Sequence, residues 1–299
     1  MTSAARVRLL TFDFLPLNCA ACFGGNPPES IGVLDRLAMK SVVFENHYLQ
    51  RPAVAEPRDV FGDTHVLDNA QRLVLTASSP AGDEFLSEAD RRRLADAALA
   101  WLHVQMPDTD ESSGFGVREY IGRAVSEAES LCRQHDILIL TACCGLTAPD
   151  LGRFETLLPE AAIRVPLLLM TGTRDARRVQ TITGSFDLAP TLADALTLSP
   201  PDAGNSSVSP VSLLRILNSP REFAGRCLVI ETAESLAIRN AEFLFVQHRT
   251  DLVESKSRGG SDRPVALYAK PEDVWNVHDV SVEYPEAVRE FQSLLLSCR

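Results

Sequence analysis

Residues 117–142 constrain the fold more than any other stretch of the chain. Val117, Tyr120, Ile121, Ala124, Ala128, Leu131 and Cys132 recur at i, i+3 and i+4, the apolar stripe of an amphipathic helix. Asp136-Ile-Leu-Ile-Leu-Thr-Ala142 follows at once. A short continuous apolar run of that kind is the pattern of a strand covered on both faces. A helix leading straight into a buried strand predicts an α/β architecture.

Other segments repeat the theme. Residues 6–13 form a short apolar run that ends in Asp13, as a first strand does when its carboxyl end carries function. Residues 30–40 have helical apolar spacing, with Ser30 placed as an N-cap. Residues 41–48 predict one strand, 71–77 and 98–105 each a core strand or a helix-to-strand passage, and 90–97 a helix. Residues 164–170 predict another strand, and Ala189-Pro190 opens a helix with proline near its first turn. The Ser-, Pro- and Gly-rich stretch 199–212 predicts a linker. Strand-like runs at 227–231, 236–239, 242–247 and 265–269 precede a last helix from Pro285 to Leu296. The expected organisation is an α/β core over 1–205 and a smaller antiparallel α+β part over 206–299.

Composition narrows the function. The chain has 299 residues and a net charge of −11, which argues against a broad nucleic-acid surface. No apolar run approaches the ~20 residues of a membrane helix, and the N-terminus turns polar too soon for a secretory signal. A cytoplasmic location is therefore expected. An odd number of cysteines, seven, predicts thiols rather than a disulfide framework.

Five segments, in order, resemble the sulfatase family of the alkaline-phosphatase-like superfamily. They are Thr11-Phe-Asp13 with Gly24 beyond, Val33-Leu-Asp-Arg-Leu-Ala leading to Val42-Val-Phe-Glu-Asn-His-Tyr48, Ala162-Ile-Arg-Val-Pro-Leu-Leu-Leu, Ser185-Phe-Asp-Leu-Ala-Pro-Thr-Leu, and Leu236-Ala-Ile-Arg with Ala-Leu-Tyr268, Asp273 and Pro285-Glu. The similarity runs over nearly the whole chain. It implies a central, mostly parallel sheet sandwiched by helices and a small C-terminal subdomain with a four-stranded sheet. It also implies sulfate-ester hydrolysis with a divalent cation, usually calcium, and a formylglycine nucleophile made from Cys or Ser.

The positions that should carry this chemistry hold other residues. Where the family has two adjacent metal-binding Asp, this chain has Asp13 and Phe14. Where it has Asp then His or Asn, this chain has Cys143 and Cys144. Calcium takes six to eight oxygen ligands, and thiols are poor ones. Tyr48 to Arg58 lies over the nucleophile motif, with Val54 on the nucleophile and Arg58 on the retained arginine. Valine has no nucleophilic atom, and no Ser, Thr or Cys occurs from 49 to 58. The basic sulfate clamps also lack counterparts, and the chain looks shortened between 59 and 98.

Bland roles compete for what remains. Asp13 can be a turn acid, Arg58 the partner of a surface acid, His47 a packed residue and His103 a satisfied core histidine. Cys19, Cys22, Cys143 and Cys144 could converge on Asp13 as a zinc or thiol-redox site. They could equally be small hydrophobes filling an emptied pocket. The expectation is a sulfatase-like protein without family catalysis, kept for binding, with no bound cofactor. A small anionic ligand or a related sulfatase subunit is the expected partner. The alternative is a divergent hydrolase that uses a cysteine thiolate or cysteine-bound zinc.

Overall fold

The structure is a computed structural model. It describes residues 6–26, 31–52, 57–62, 65–76, 85–106, 114–145, 158–172, 175–198, 207–248 and 265–298. Its strands are β1 (Val7–Phe12), β2 (Val42–Phe44), β3 (His47–Tyr48), β4 (Gln71–Thr76), β5 (Leu99–Gln105), β6 (Ile137–Ala142), β7 (Leu168–Met170), β8 (Arg177–Val179), β9 (Thr183–Gly184), β10 (Leu228–Glu231), β11 (Ser235–Arg239), β12 (Phe243–His248) and β13 (Val265–Ala269). The helices are α1 (Gly32–Ala38), α2 (Glu88–Asp96), α3 (Gly114–Ser130), α4 (Glu160–Ile163), α5 (Leu188–Ala195), α6 (Leu213–Asn218) and α7 (Pro285–Ser297).

Seven strands form the main sheet, in the order β4-β5-β1-β6-β7-β2-β8. The pairs β4–β5, β5–β1, β1–β6 and β2–β8 are parallel, while β7 runs antiparallel to both its neighbours. All six residues of β1 and of β6 are buried. This explains their continuous apolar sequences, since neither strand has a solvent face to fill with polar residues. Ile121, Ala124, Val125, Ala128 and Leu131 of α3 are buried, as the helical stripe requires. Gly122 of α3 faces Val33 of α1 across the helix contact.

The second sheet is antiparallel, in the order β10-β11-β12-β13. Its core joins Phe245, Leu267 and Ile238 to Phe291 and Leu295 of α7. Residues 211–217, which composition groups with this part, pack instead in the core of the main sheet through Val211, Leu213, Ile216 and Leu217.

Three expectations need correction. The run 41–48 is not one strand. β2 joins the main sheet, while β3 pairs with β9 in a separate two-stranded sheet. The helix predicted from residue 30 starts at Gly32 behind Ile31, which supplies no side-chain cap, and Ser30 lies outside the described residues. The strand predicted over 164–170 is confined to its last three residues. Arg164 turns away, and both Nε and Nη2 donate to the Glu45 carbonyl at 3.1 and 2.7 Å.

Buried charge ties the layers together. Arg8, fully buried in β1, donates to the carbonyls of Ala95, Ala97 and Leu131 and pairs with Asp136 at 3.3 Å. At the junction of the two large sheets, Glu160 accepts from the Tyr48 hydroxyl at 2.6 Å. It also pairs with Lys270 at 2.7 Å and Arg239 at 3.3 Å. Burial alone would raise the Glu160 carboxyl, but the two cations outweigh it and hold it below the ordinary carboxylate value. Burial and the Glu160 charge raise the Tyr48 phenol, which stays protonated. Asp187 anchors a second junction. It takes both guanidinium nitrogens of Arg226 at 2.8 Å and the backbone N–H groups of Gly184 and Val211, also at 2.8 Å.

Candidate functional site

The carboxyl ends of β1, β5 and β6 meet at the position where an open α/β sheet presents its ligands. Backbone hydrogen bonds fix this edge. Asp13 N–H donates to Val104 O at 3.0 Å, Cys143 N–H to Phe12 O at 2.8 Å, and Leu15 N–H to Cys144 O at 3.0 Å. Gly145 then passes so close to α4 that a Cβ would lie 2.4 Å from Ala161 O, a position only glycine can hold. The structure therefore brings Asp13, Phe14, Cys143 and Cys144 to one edge.

Both Asp13 carboxylate oxygens accept from Met106 N–H, at 2.9 and 3.0 Å, so the acid ties the end of β1 to the end of β5. Phe14 supplies no donor atom. Burial pushes the Cys143 thiol up to about 12, with the charges of Asp13 and Cys144 adding and Arg72 opposing. Among the described residues, this edge offers one carboxylate beside a phenyl ring and two thiols, a set that does not fit calcium, a hard cation that needs oxygen ligands.

Cys19 and Cys22 form a separate pair. They lie in tight turns after β1, and Asp35 acts on both thiols. Burial, then each other's charge, raises Cys19 to about 12, and burial with Asp35 raises Cys22 to about 11. A thiol nucleophile needs a lowered value, so these environments do not support the cysteine-thiolate alternative. Among the described residues no group of three or more His, Cys, Asp or Glu is arranged to hold a metal ion. None of the seven cysteines is in a disulfide.

Other singled-out residues have structural partners. Val54 lies outside the described residues. Arg58 pairs with Asp68 at 2.6 Å on the surface. His47 is wholly buried, with Nδ1 3.1 Å from Thr183 Oγ1, and burial lowers it to about 3. Trp101 Nε1 donates to Thr11 Oγ1 at 2.8 Å, and His103 Nδ1 lies 2.9 Å from the same oxygen. Burial lowers His103 to about 4, which keeps it neutral. The Arg72 guanidinium lies 4.5 Å from the Trp101 ring centroid and closes this side of the edge.

No family model and no curated protein matches the chain. Solved structures do. A Bacteroides thetaiotaomicron protein from a study of glycosaminoglycan metabolism has a TM-score of 0.69 at 14% identity, over 99% of each chain. A phosphonate monoester hydrolase of Agrobacterium radiobacter has a TM-score of 0.67 at 12% identity, covering 98% of this chain and 95% of its own. The fold is that of the sulfatases. A 2-O glycosaminoglycan sulfatase also matches, with a TM-score of 0.68 at 11% identity over 99% of this chain and 92% of its own.

The sulfatase fold explains where the resembling segments went. Tyr48, Asp187 and Arg239 all come from them, and all serve the junctions, while Arg164 ties to Glu45 O and Asp273 pins the loop before α7. The sequence did not flag Glu160, Arg226 or Lys270 as their partners. The only signal was a charged residue beside an apolar motif, and that is equally common on a surface.

Proposed function

We propose that this chain is a sulfatase-fold protein that does not carry out sulfate-ester hydrolysis and acts by binding. The observation that carries the proposal is the residue set at the edge where a hydrolase of this fold needs oxygen ligands: Asp13, which accepts from Met106 N–H, stands beside Phe14, Cys143 and Cys144. Val54 at the aligned nucleophile position supports it. The proposed partner is a small anionic ligand or a related sulfatase subunit, without a bound cofactor. A cytoplasmic location accords with the seven thiols. Among the described residues no helix is long and apolar enough to cross a membrane.

The test is turnover of an aryl sulfate and of an aryl phosphonate monoester, with and without added calcium, using protein purified without a metal-affinity tag. The expected result is no turnover above buffer and no stoichiometric metal. Calcium-dependent turnover that disappears in Asp13→Ala would overturn the proposal.

A further inference from the structure

The loop between β13 and α7 displays apolar side chains on a frame that is itself held rigid. Asp273 accepts the backbone N–H groups of Val277 and His278, both at 2.9 Å. Asn276 is buried with a left-handed φ of 56° and donates to Leu158 O at 2.9 Å, while the Lys270 ammonium donates to its side-chain oxygen. Asp279 pairs with Tyr268, and Val280 N–H donates to Leu267 O at 2.8 Å. Yet Trp275 and Val277, on either side of the pinned Asn276, are 57% and 80% exposed. Val274, Val282 and Tyr284 are exposed as well. Five of the nine exposed large hydrophobics among the described residues thus fall between 274 and 284.

Such residues are normally scattered singly over a surface. Here they are concentrated, and their backbone is ordered before any partner arrives, which lowers the entropic cost of association. Tryptophan is among the residue types that binding hot spots favour, and its backbone is held here.

Charge selects the occupant. Residues 272–290 carry Glu272, Asp273, Asp279, Glu283, Glu286 and Glu290 against Arg289, a net of −5 from six acids and one base. A second copy of this chain would bring the same acids, and an anionic bilayer or nucleic acid would also be repelled. We propose that the 272–290 surface docks a basic protein segment that places an apolar anchor against Trp275 and Val277, with Lys or Arg against the acidic rim. This assignment stands whether or not the sheet edge at Asp13 has any activity.

Intrinsic fluorescence reads the site directly, because the other tryptophan, Trp101, is buried. The probe is a short amphipathic peptide with leucines on one face and lysines on the other, with a glutamate-for-lysine version as its counterpart. The lysine peptide is expected to shift Trp275 emission to the blue and protect it from acrylamide saturably, and the glutamate peptide to do neither. A Val277→Ser/Val282→Ser variant with an unchanged melting curve should bind the labelled lysine peptide about tenfold more weakly. Glu283→Lys/Glu286→Lys should flatten the salt dependence. Three results would overturn the proposal: unshielded Trp275 with saturating peptide, equal affinity of parent and serine variant, or sedimentation as a dimer with Trp275 already protected.

Discussion

His47 and His103 are uncharged because the fold withholds water from them, and this links stability to pH. Burial depresses their values to about 3 and about 4 from an ordinary 6.5. Between those limits the unfolded chain binds more protons than the folded one. Their contribution is complete above about pH 6.5 and is lost as pH falls, with a slope approaching ~1.4 kcal/mol per pH unit for each histidine. Glu160, held low by Arg239 and Lys270, is a further loss on protonation. Urea titrations from pH 7 to 4 should show this decline, and His103→Gln should reduce its slope. A pH-independent stability over that range would show that these histidines are hydrated.

The acids at the two sites differ in what they hold. Asp187 is fully buried and neutralises Arg226 bidentately. Its removal leaves an uncompensated buried guanidinium, so Asp187→Ala should cost about 3–5 kcal/mol in denaturant unfolding. Asp13 is only half-buried and is not locked to a buried guanidinium, so Asp13→Ala should cost clearly less. The reverse ranking would mean that the β1 edge, not the Asp187 junction, carries the stability.

At the level of elements, close approach decides more than propensity does. β6 and α4 meet at Gly145, whose N–H donates to Ala162 O at 3.0 Å. Gly145→Ala would drive a methyl into the Ala161 carbonyl, with α4 unable to move without disturbing Glu160. The variant should melt earlier and lose near-ultraviolet signal at the junction, whereas Gly32→Ala, with only a flexible Arg36 tip nearby, should not. The buried strands β1, β5 and β6 and the stripe of α3 were legible in the sequence, because continuous apolar runs and a 3.6 period are local properties. The splitting of 41–48 was not legible. Pairing of β3 with β9 depends on residues far along the chain, and nothing within 41–48 encodes it.

For the whole molecule, the junction clusters show what several of the family-like segments hold together. Docking the four-stranded sheet onto β3 and α4 buries charge, and each buried charge needs its partner. Tyr48 and Arg239, which meet across Glu160, stand 191 positions apart. The assembly should therefore unfold in one transition, with fluorescence of Trp101 in the main sheet and Trp275 beyond the second lost together. Two separated transitions in single-tryptophan variants would show that the clusters do not couple the sheets.

The sequence by itself determined the α/β plan, the antiparallel C-terminal sheet and the residue types at the aligned site. Phe14 has no ligand atom and Val54 no nucleophilic one, and no packing can give a side chain atoms it lacks. Only the tertiary structure decided which partners the remaining groups meet. It turned Asp13 onto Met106 N–H, separated Cys19 and Cys22 from Cys143 and Cys144, reversed β7 within the sheet, and held Trp275 in solvent on a pinned loop. Those outcomes depend on hydrogen bonds and burial between distant segments, and a charge or a thiol takes its chemistry from the groups that the fold places around it.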